Sequence, residues 1–449
     1  MKLLPVEGGS SSSRIWPFMV RIERCGGNCR SRSNLSAESM FSGRLTHLSG
    51  AQGQGVHVPE QHLRVLETLH GCSISKMAVL PRHCCPSLFT AVILLLFCPS
   101  PASPHAFFIF GDSLVDAGNN DYLVTLSKAN TPPYGVDFSF SGGKPTGRFT
   151  NGRTIADVIG EALGQESFAP PYLAPNSSAE VINSGANYAS GSSGIFDETG
   201  SFYIGRVPLG QQISYFEKTR AQILATMGEK AAADFLGEAL ITVAAGSNDI
   251  LEYLSPSVPF FGRQKPDSAD FQDALVSKLA FHLKRLNELG ARKFVIADVG
   301  PLGCIPYVRA LEFIPAGECS AAVNKLCEGY NKRLKRMIGR LNQETGPESA
   351  FVYTNTHGIV MEIIRQHRQY GFEEALDPCC GGSFPPFLCI GVANSSSATL
   401  CEDRSKYVFW DAFHPTEAVN FIVAGRIVDG GAADASPVNV RALFQRRYG

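Results

Sequence analysis

The sequence predicts an α/β protein whose mostly parallel central sheet is covered by helices on both faces. From residue 106 onward, short apolar runs alternate with longer segments in which apolar residues recur at helical spacing. Several of the apolar runs lead straight into a glycine and polar residues, as a strand does where it ends at a turn. Short buried strands that alternate with helices are typical of βαβ units, in which crossover helices connect parallel strands.

Five segments are predicted to be strands, because they are short, apolar and rich in β-branched or aromatic residues. They are residues 106–110, 239–245, 293–299, 350–353 and 407–410. The segment 379–401, just before the last of them, is rich in Cys, Gly, Pro and Ser. We expect it to be a long loop held by disulfides.

Five further segments have the apolar spacing of amphipathic helices. They are residues 154–163, 270–289, 321–341, 359–366 and 415–428. Gly164 and Gly290 follow two of them as terminators. Asp270 is the expected N-terminal cap of the second helix. Pro415 is expected in the first turn of the last helix, where proline is tolerated.

The overall charge of the chain argues against polyanionic partners. Hydrophobic residues make up 44% of the sequence and charged residues 18%, which is ordinary for a globular protein with a large core. The formal net charge is −1, so there is no broad attraction for nucleic acid or for an anionic membrane. We therefore expect neutral small molecules, lipids or esters as partners. Nothing in the sequence indicates an oligomeric state.

An unbroken apolar run at residues 88–98 predicts a secretory signal at residues 77–105. Basic residues precede the run, and a segment rich in proline and small residues follows it. The run is too short for a comfortable membrane span, which needs about 20 apolar residues, so we expect no stable membrane insertion. A signal anchor or a buried helix is the alternative interpretation.

Residues 1–76 are rich in Ser, Gly and Arg without a sustained period and are predicted to be disordered. We expect Met77 to be the true start and residues 1–76 to be an upstream extension of the gene model. The mature domain would then be residues 106–449, secreted and extracellular, in the apoplast or cell wall.

The cysteines of the mature region predict two or three disulfides in an oxidising compartment. There are seven: Cys304, Cys319, Cys327, Cys379, Cys380, Cys389 and Cys401. Because seven is odd, at least one thiol stays unpaired or pairs between chains. Cys379 and Cys380 are adjacent, so each is expected to pair elsewhere, and Cys319–Cys327 is an attractive local bridge. A metal site is the alternative, but no C-x-x-C occurs. Asn176 and Asn394 lie in glycosylation sequons.

Three polar clusters are expected at the carboxyl ends of strands, where doubly wound sheets bind ligands. They are residues 111–113 (GDS), 246–249 (GSND) and 411–414 (DAFH). Three residues separate Asp411 from His414, so the carboxylate can turn back to accept the imidazole Nδ1–H. Nε2 would then be free to take the proton of Ser113. The alternatives are an ordinary turn at Ser113 and an Asp411 that only caps the final helix.

An acyl-transfer site also needs hydrogen-bond donors for the oxyanion. The candidates are the backbone N–H of Ser113, that of Gly191 or Gly194, and the side-chain amide of Asn248. Ordinary turns are the alternative for Asn248 and for the glycine loop. The sequence contains no G-x-S-x-G and no G-x-x-x-x-G-K-[ST], which argues against an α/β-hydrolase elbow and a phosphate-binding loop.

Several long motifs in order resemble those of the plant GDSL esterases/lipases, a group of the SGNH hydrolases. They are FIFGDSLVDAGNN (108–120), INSGANYASGSSGI (182–195), AAGSNDIL (244–251) and YVFWDAFHPTEAVN (407–420). PPYGVDF (132–138) and GPLGCIP (300–306) are also similar. The resemblance covers residues 107–430, and residues 1–76 have no counterpart in the family.

This resemblance implies a flavodoxin-like, three-layer α/β/α fold and hydrolysis of carboxylic esters. It implies Ser113 as nucleophile, His414 as base and Asp411 as its orienting partner. Ser113, a glycine of the second motif and Asn248 would hold the oxyanion, and no cofactor or metal is implied. Two other functions remain open: an acyltransferase that uses the same triad, and a catalytically silent binding protein on the same fold.

Overall fold

The structure is a computed structural model that describes residues 105–175, 185–255, 265–382, 385, 387, 389 and 400–448. All of them belong to one compact unit, Pro86–Gly449. The predicted N-terminal extension and all but the last residue of the predicted signal lie outside the described residues. Both sequon asparagines, Asn176 and Asn394, lie outside them as well.

A six-stranded sheet forms the centre of the described structure. Its strands are β1 (Phe107–Gly111), β2 (Gly185–Asn187), β3 (Leu240–Ala244), β4 (Lys293–Ala297), β5 (Ala350–Thr354) and, after two strands outside this sheet, β8 (Ala435–Ser436). Their spatial order is β2-β1-β3-β4-β5-β8, with only β8 antiparallel. The order 2-1-3-4-5 is that of a flavodoxin-like, doubly wound sheet, which confirms the predicted fold class.

The helices cover the two faces of this sheet. In chain order they are α1 (Ile155–Ala162), α2 (Leu209–Met227), α3 (Glu229–Glu238), α4 (Ser247–Leu254), α5 (Ser268–Glu288), α6 (Pro306–Leu311), α7 (Ala321–Thr345), α8 (Thr356–Arg365), α9 (Glu417–Asp429) and α10 (Val440–Gln445). Helix α9 contacts α1, α8 and α10, and a second group consists of α2, α3, α5 and α7. Every residue of β1, β3 and β5 is buried, as expected of strands covered on both faces.

The strand predicted at 407–410 is present but does not join the central sheet. It is β7 (Tyr407–Phe409), which pairs in parallel with β6 (Glu374–Pro378) in a separate two-stranded sheet. The last strand of the central sheet is instead the two-residue β8, which is too short to produce a periodic signal. The sequence also did not predict β2, whose three residues are Gly, Ala and Asn.

Three of the expected helix starts were wrong by two or three residues. Helix α8 begins at Thr356, three residues before the expected start at 359. Helix α5 begins at Ser268, and Asp267 caps it by accepting the N–H groups of Ala269 and Asp270. Helix α9 begins at Glu417 with Thr416 as its cap, so Pro415 precedes the helix instead of lying in its first turn. Sequence spacing locates a helix well, but its first residue depends on which side chain reaches the free N–H groups.

Three disulfides are present among the described residues, and the pairing expected for Cys319 was wrong. The bridges are Cys304–Cys319, Cys379–Cys401 and Cys380–Cys389, and Cys327 is a buried free thiol. The Ser320 N–H donates to the Gly303 carbonyl at 2.8 Å, which brings Cys319 beside Cys304. Cys327 lies inside α7 and packs in the core. The predicted separate pairing of the adjacent Cys379 and Cys380 is confirmed.

Replacing the observed cap should destabilise the protein more than replacing the expected one. Asp267→Ala removes an acceptor of two N–H groups and should lower the free energy of unfolding by about 1 kcal/mol. Asp270→Ala removes only an exposed charge from the first turn and should cost at most a few tenths of a kcal/mol. Urea titration of both variants measures the difference. Equal losses would contradict the cap at Asp267.

Candidate active site

The predicted site residues meet at the carboxyl edge of the sheet, next to the adjacent strands β1 and β3. Ser113 follows β1, and Asn248 lies in the first turn of α4, directly after β3. Asp411 and His414 lie in the turn between β7 and α9. Strand order reverses around β1 and β3, which is the place where doubly wound sheets form their crevice.

Ser113, His414 and Asp411 form one continuous hydrogen-bonded chain. His414 Nε2 lies 2.7 Å from Ser113 Oγ, although 301 residues separate the two in sequence. His414 Nδ1 lies 2.8 Å from both carboxylate oxygens of Asp411. Donation of the Nδ1 hydrogen to Asp411 leaves Nε2 as an acceptor facing the serine hydroxyl. Asp411 and His414 are buried and Ser113 is partly exposed, so a ligand can reach the hydroxyl.

Asp411 is held as a carboxylate by four donors. Besides the imidazole, it accepts the backbone N–H groups of Phe413 and His414, each at 2.8 Å. The Tyr134 hydroxyl donates to its Oδ2, also at 2.8 Å. Burial alone would raise the pKa of Asp411. The charge of His414 and the hydrogen bonds from its ring and from the two backbone N–H groups outweigh burial and hold that pKa below its ordinary value.

The turn that carries Asp411 and His414 is fixed at both ends. The Trp410 N–H donates to the His414 carbonyl at 2.8 Å, and the Trp410 side chain is fully buried. On the other side, Thr416 caps α9. The His414 ring packs against Phe149, with 5.2 Å between ring centroids. The imidazole is therefore oriented by packing as well as by the carboxylate.

Gly111 lets the chain before Ser113 approach β3 closely. Its φ is 145°, and a Cβ at this position would lie 2.0 Å from the Ala244 carbonyl oxygen. The Asp112 N–H donates to that same oxygen at 3.1 Å. A side chain at Gly111 would push β1 away from β3 and move Ser113 with it.

Asp112, next to the serine, is a buried carboxyl group with few hydrogen bonds to offset its loss of solvent. Its Oδ1 accepts the Leu114 N–H at 3.0 Å, whereas Oδ2 has no hydrogen-bond partner among the described residues. Burial raises the pKa of Asp112 from 3.8 to about 7, against the Leu114 hydrogen bond and the charge of His414, while the charge of Asp249 adds to the rise. The Asp112 carboxyl group therefore keeps its proton to a pH well above the one at which aspartate ordinarily ionises.

Of the two glycines expected to donate to an oxyanion, one has its backbone N–H engaged in the structure. The Gly191 N–H already donates to Asp116 Oδ2 at 3.0 Å. A Cβ on Gly194 would lie 2.4 Å from Thr199, so this glycine packs against the next loop segment. Ser192, between them, has φ 64° and lines the pocket that holds Ser113. Asn248 lines the same pocket, and its Nδ2 donates to the Ser193 carbonyl at 2.9 Å, which leaves its second amide hydrogen for a ligand.

The pocket over Ser113 has a volume of about 670 Å³ and a mainly apolar lining. Its apolar side chains include Leu114, Ile155, Leu251, Leu302, Phe413 and Val423. A few polar groups converge at Ser113 and His414, which is the usual composition of a small-molecule or lipid site.

The sequence interpretation missed Tyr134 and Ser192. Tyr134 lies in the PPYGVDF motif, which predicts no role for it, and its hydroxyl reaches Asp411 across 277 residues of sequence. Ser192 occupies a left-handed backbone position that glycine would ordinarily fill, so a search for glycine passes over it.

The part of the chain that the structure describes contains neither a candidate metal centre nor a candidate membrane span. Within it, no three His, Cys, Asp or Glu side chains are grouped as metal ligands would be. None of its helices combines the length and the apolar character needed to cross a membrane.

Comparisons with known proteins show what this chain is similar to. A family model described as GDSL-like Lipase/Acylhydrolase matches residues 107–427. A GDSL esterase/lipase of Arabidopsis thaliana is 52% identical over 348 residues, which cover 77% of this chain and 94% of that protein. A second GDSL esterase/lipase of the same plant is 45% identical over 342 residues, which cover 75% of this chain and 90% of that protein.

The high pKa of Asp112 predicts a stability that falls as pH rises. The unfolded chain loses this proton near pH 4, while the folded protein keeps it to about pH 7, so folding takes up a proton between these values. Asp112→Asn should flatten the decline of the unfolding free energy between pH 4 and 7, measured by urea titration. The exposed Asp234→Asn is the control and should leave the decline unchanged. Identical pH dependence in Asp112→Asn and the unmodified protein would contradict the assignment.

Proposed function

This chain belongs to the GDSL-like lipase/acylhydrolase family, and from that premise we propose that it is a serine hydrolase that cleaves carboxylic esters through an acyl-enzyme. The observation that carries the proposal is the 2.7 Å contact between Ser113 Oγ and a His414 ring already oriented by Asp411. A serine becomes a nucleophile when a base can take its proton, and the third group keeps that base in the required tautomer.

In the first step, Ser113 Oγ attacks the ester carbonyl carbon while His414 Nε2 takes the hydroxyl proton. The carbonyl oxygen becomes an oxyanion in a tetrahedral intermediate. The intermediate collapses when the imidazolium returns its proton to the alkoxy oxygen, so an alcohol leaves and the acyl group stays on Ser113. Asp411 remains ionised throughout and stabilises the imidazolium.

In the second step, water replaces the alcohol. His414 takes a proton from water, and the resulting hydroxide attacks the acyl carbon. Collapse of the second tetrahedral intermediate breaks the bond to Ser113 Oγ, which regains its proton from His414. The carboxylic acid leaves, and the enzyme is restored without any external oxidant or reductant.

The proposed oxyanion donors are the N–H of Ser113, the N–H of Ser192 and the side-chain amide of Asn248. The location of Ser192 and Asn248 on the wall of the Ser113 pocket supports this set over one that contains Gly191, whose N–H is engaged by Asp116. A preorganised set of donors stabilises negative charge as it develops, and one such donor is typically worth about 10²–10³ in rate.

The proposed substrates are small-molecule or lipid esters, which the mainly apolar pocket suits. The proposed location is outside the cell. Three disulfides among the described residues favour an oxidising compartment.

Removal of the nucleophile should abolish turnover without unfolding the protein. Ser113→Ala should lower kcat on p-nitrophenyl butyrate by at least about 10³-fold and abolish labelling by a fluorophosphonate probe. Ser247→Ala is the matched control, since Ser247 lines the same pocket and should stay dispensable. Retained turnover or labelling in Ser113→Ala would refute the proposal, and absence of labelling in the unmodified protein would favour a binding protein.

Tyr134 is proposed to act on Asp411, as a positioning residue. Tyr134→Phe keeps the ring but removes a donor to a buried carboxylate, so kcat should fall about ten-fold, the equivalent of one hydrogen bond to a charged group. Loss of this donor also raises the pKa of Asp411, so activity should begin to fall at a higher pH on the acidic side.

The control for this variant is Tyr307→Phe. Tyr307 also lines the pocket, and its ring packs on Phe413 with 4.6 Å between centroids. The control should keep both kcat and the pH profile. A Tyr134→Phe protein that is slower by the same factor at every pH would show a general structural effect and contradict the proposed action on Asp411.

A further inference from the structure

Two neighbouring loops present large apolar side chains to solvent beside the active site. Val124 is 84% exposed, Leu126 66%, Phe202 77%, Tyr203 36% and Ile204 62%. We call these five residues the apolar collar. Scattered exposed apolar residues are normal on a protein, but a contiguous group of this kind marks an interaction site.

Backbone contacts join the two loops and hold the collar together. The Leu126 N–H donates to the Tyr203 carbonyl at 3.1 Å, and the Thr125 hydroxyl donates to the same oxygen at 3.0 Å. Thr125 and Ile204 form an antiparallel bridge. The collar is therefore one built surface that includes residues almost 80 positions apart in sequence.

Ile204 adopts a backbone conformation that a β-branched residue rarely occupies. Its φ is 74° and its ψ is −89°. This conformation is close to that of a classic γ-turn, which is rare and strained, and glycine would accept it at a lower conformational free energy. Strained positions of this kind persist where the surrounding structure holds them and are concentrated at functional sites. Here the strained residue is apolar and mostly exposed.

The collar is continuous with the wall of the pocket. Leu126, Phe202 and Tyr203 line the same cavity as Ser113 and His414. Val124 and Ile204 extend the apolar surface outward, beyond that lining. The collar therefore borders the cavity that holds Ser113.

Charge on these loops does not favour an anionic surface. Lys128 Nζ already donates to the Asp121 carbonyl at 3.2 Å. Arg206 donates to the carbonyls of Thr199 and Asp197, at 2.9 and 2.6 Å. Residues 121–128 and 197–206 contain three acidic residues (Asp121, Asp197 and Glu198) against these two cations, so these loops have no excess of positive charge. The attraction of the collar is hydrophobic in character.

We propose that the apolar collar docks the protein on the surface of assembled neutral lipid, from which an ester enters the pocket over Ser113. The second part of this proposal, that the ester is then cleaved, rests on the proposed function. The first part, docking on lipid, does not require hydrolysis. Continuity with the pocket that takes the ester favours this occupant over a second copy of the chain.

Docking is tested with the full chain expressed in plant cells and purified after those cells have processed it. Every protein in this assay carries Ser113→Ala, so no lipid is hydrolysed. Binding to phosphatidylcholine vesicles, with and without phosphatidylglycerol, is measured by co-sedimentation.

The double variant Val124→Ser, Ile204→Asn should bind vesicles at least about ten-fold more weakly, because it has two fewer apolar side chains to bury in the lipid. The loss should be equal on both kinds of vesicle.

The matched control changes two exposed apolar residues elsewhere, Leu311→Ser and Phe313→Asn. Leu311 is 47% exposed and Phe313 86%, and Phe313 also has a positive φ, of 51°. Neither lines the pocket over Ser113 among its described residues. This pair should bind vesicles as the parent protein does.

Activity measurements separate this proposal from the proposed function. With Ser113 intact, the collar pair should hydrolyse soluble p-nitrophenyl butyrate at the parent rate but lose at least about ten-fold on an emulsified long-chain ester. If the parent protein hydrolyses neither ester but its vesicle binding still depends on the collar, the proposed hydrolysis is contradicted and the proposed docking is supported.

Three results would overturn docking in a protein that hydrolyses the soluble ester. One is equal vesicle binding by the collar and control pairs, and another is binding only when phosphatidylglycerol is present. The third is a parent dimer in analytical ultracentrifugation that the collar pair converts to monomer, since the collar would then cover a second copy.

Discussion

The parallel pairing of β1 with β3 is the constraint on which the rest of the site depends. It runs in register from Phe107 beside Leu240 to Gly111 beside Ala244. Because both strands end at the same edge, the residues that follow them, Ser113 and Asn248, enter one crevice. The close approach at Gly111 sets the height of the serine above that edge, and the turn between β7 and α9 brings His414 to it.

Buried carboxylates join the loops around this crevice. Asp116 accepts the N–H groups of Gly118, Asn119 and Gly191, and so ties the segment after β1 to the segment after β2. Asp249 similarly accepts the N–H groups of Ile195 and Phe196, which ties α4 to that second segment. Burial raises the pKa of both groups, so this rigidity is obtained at an electrostatic cost. A preorganised crevice with an apolar rim suits chemistry on an ester held at its alkyl chain.

How much of this could be predicted depended on the range of the interactions involved. The contact of Ser113 with His414 spans 301 residues, yet chemistry made the pairing predictable. The serine needed a base, and His414 follows a predicted strand with an aspartate three residues before it. The pairing of Cys319 with Cys304 was missed, since nearness in sequence favoured Cys327, which the fold of α7 turns into the core. Tyr134 and Ser192 had no local signal for a role.

The sequence by itself determined the α/β class, the four central strands β1, β3, β4 and β5 and the triad candidates, because these follow from local periodicity and from the chemistry of single side chains. Only the tertiary structure decided which strands pair, which glycine N–H is already engaged and where the apolar collar lies. Those features depend on backbone groups and surfaces brought together from distant segments. A hydrogen bond such as Gly191 to Asp116 is invisible in the order of residues, because either group could pair with many partners until the chain is folded.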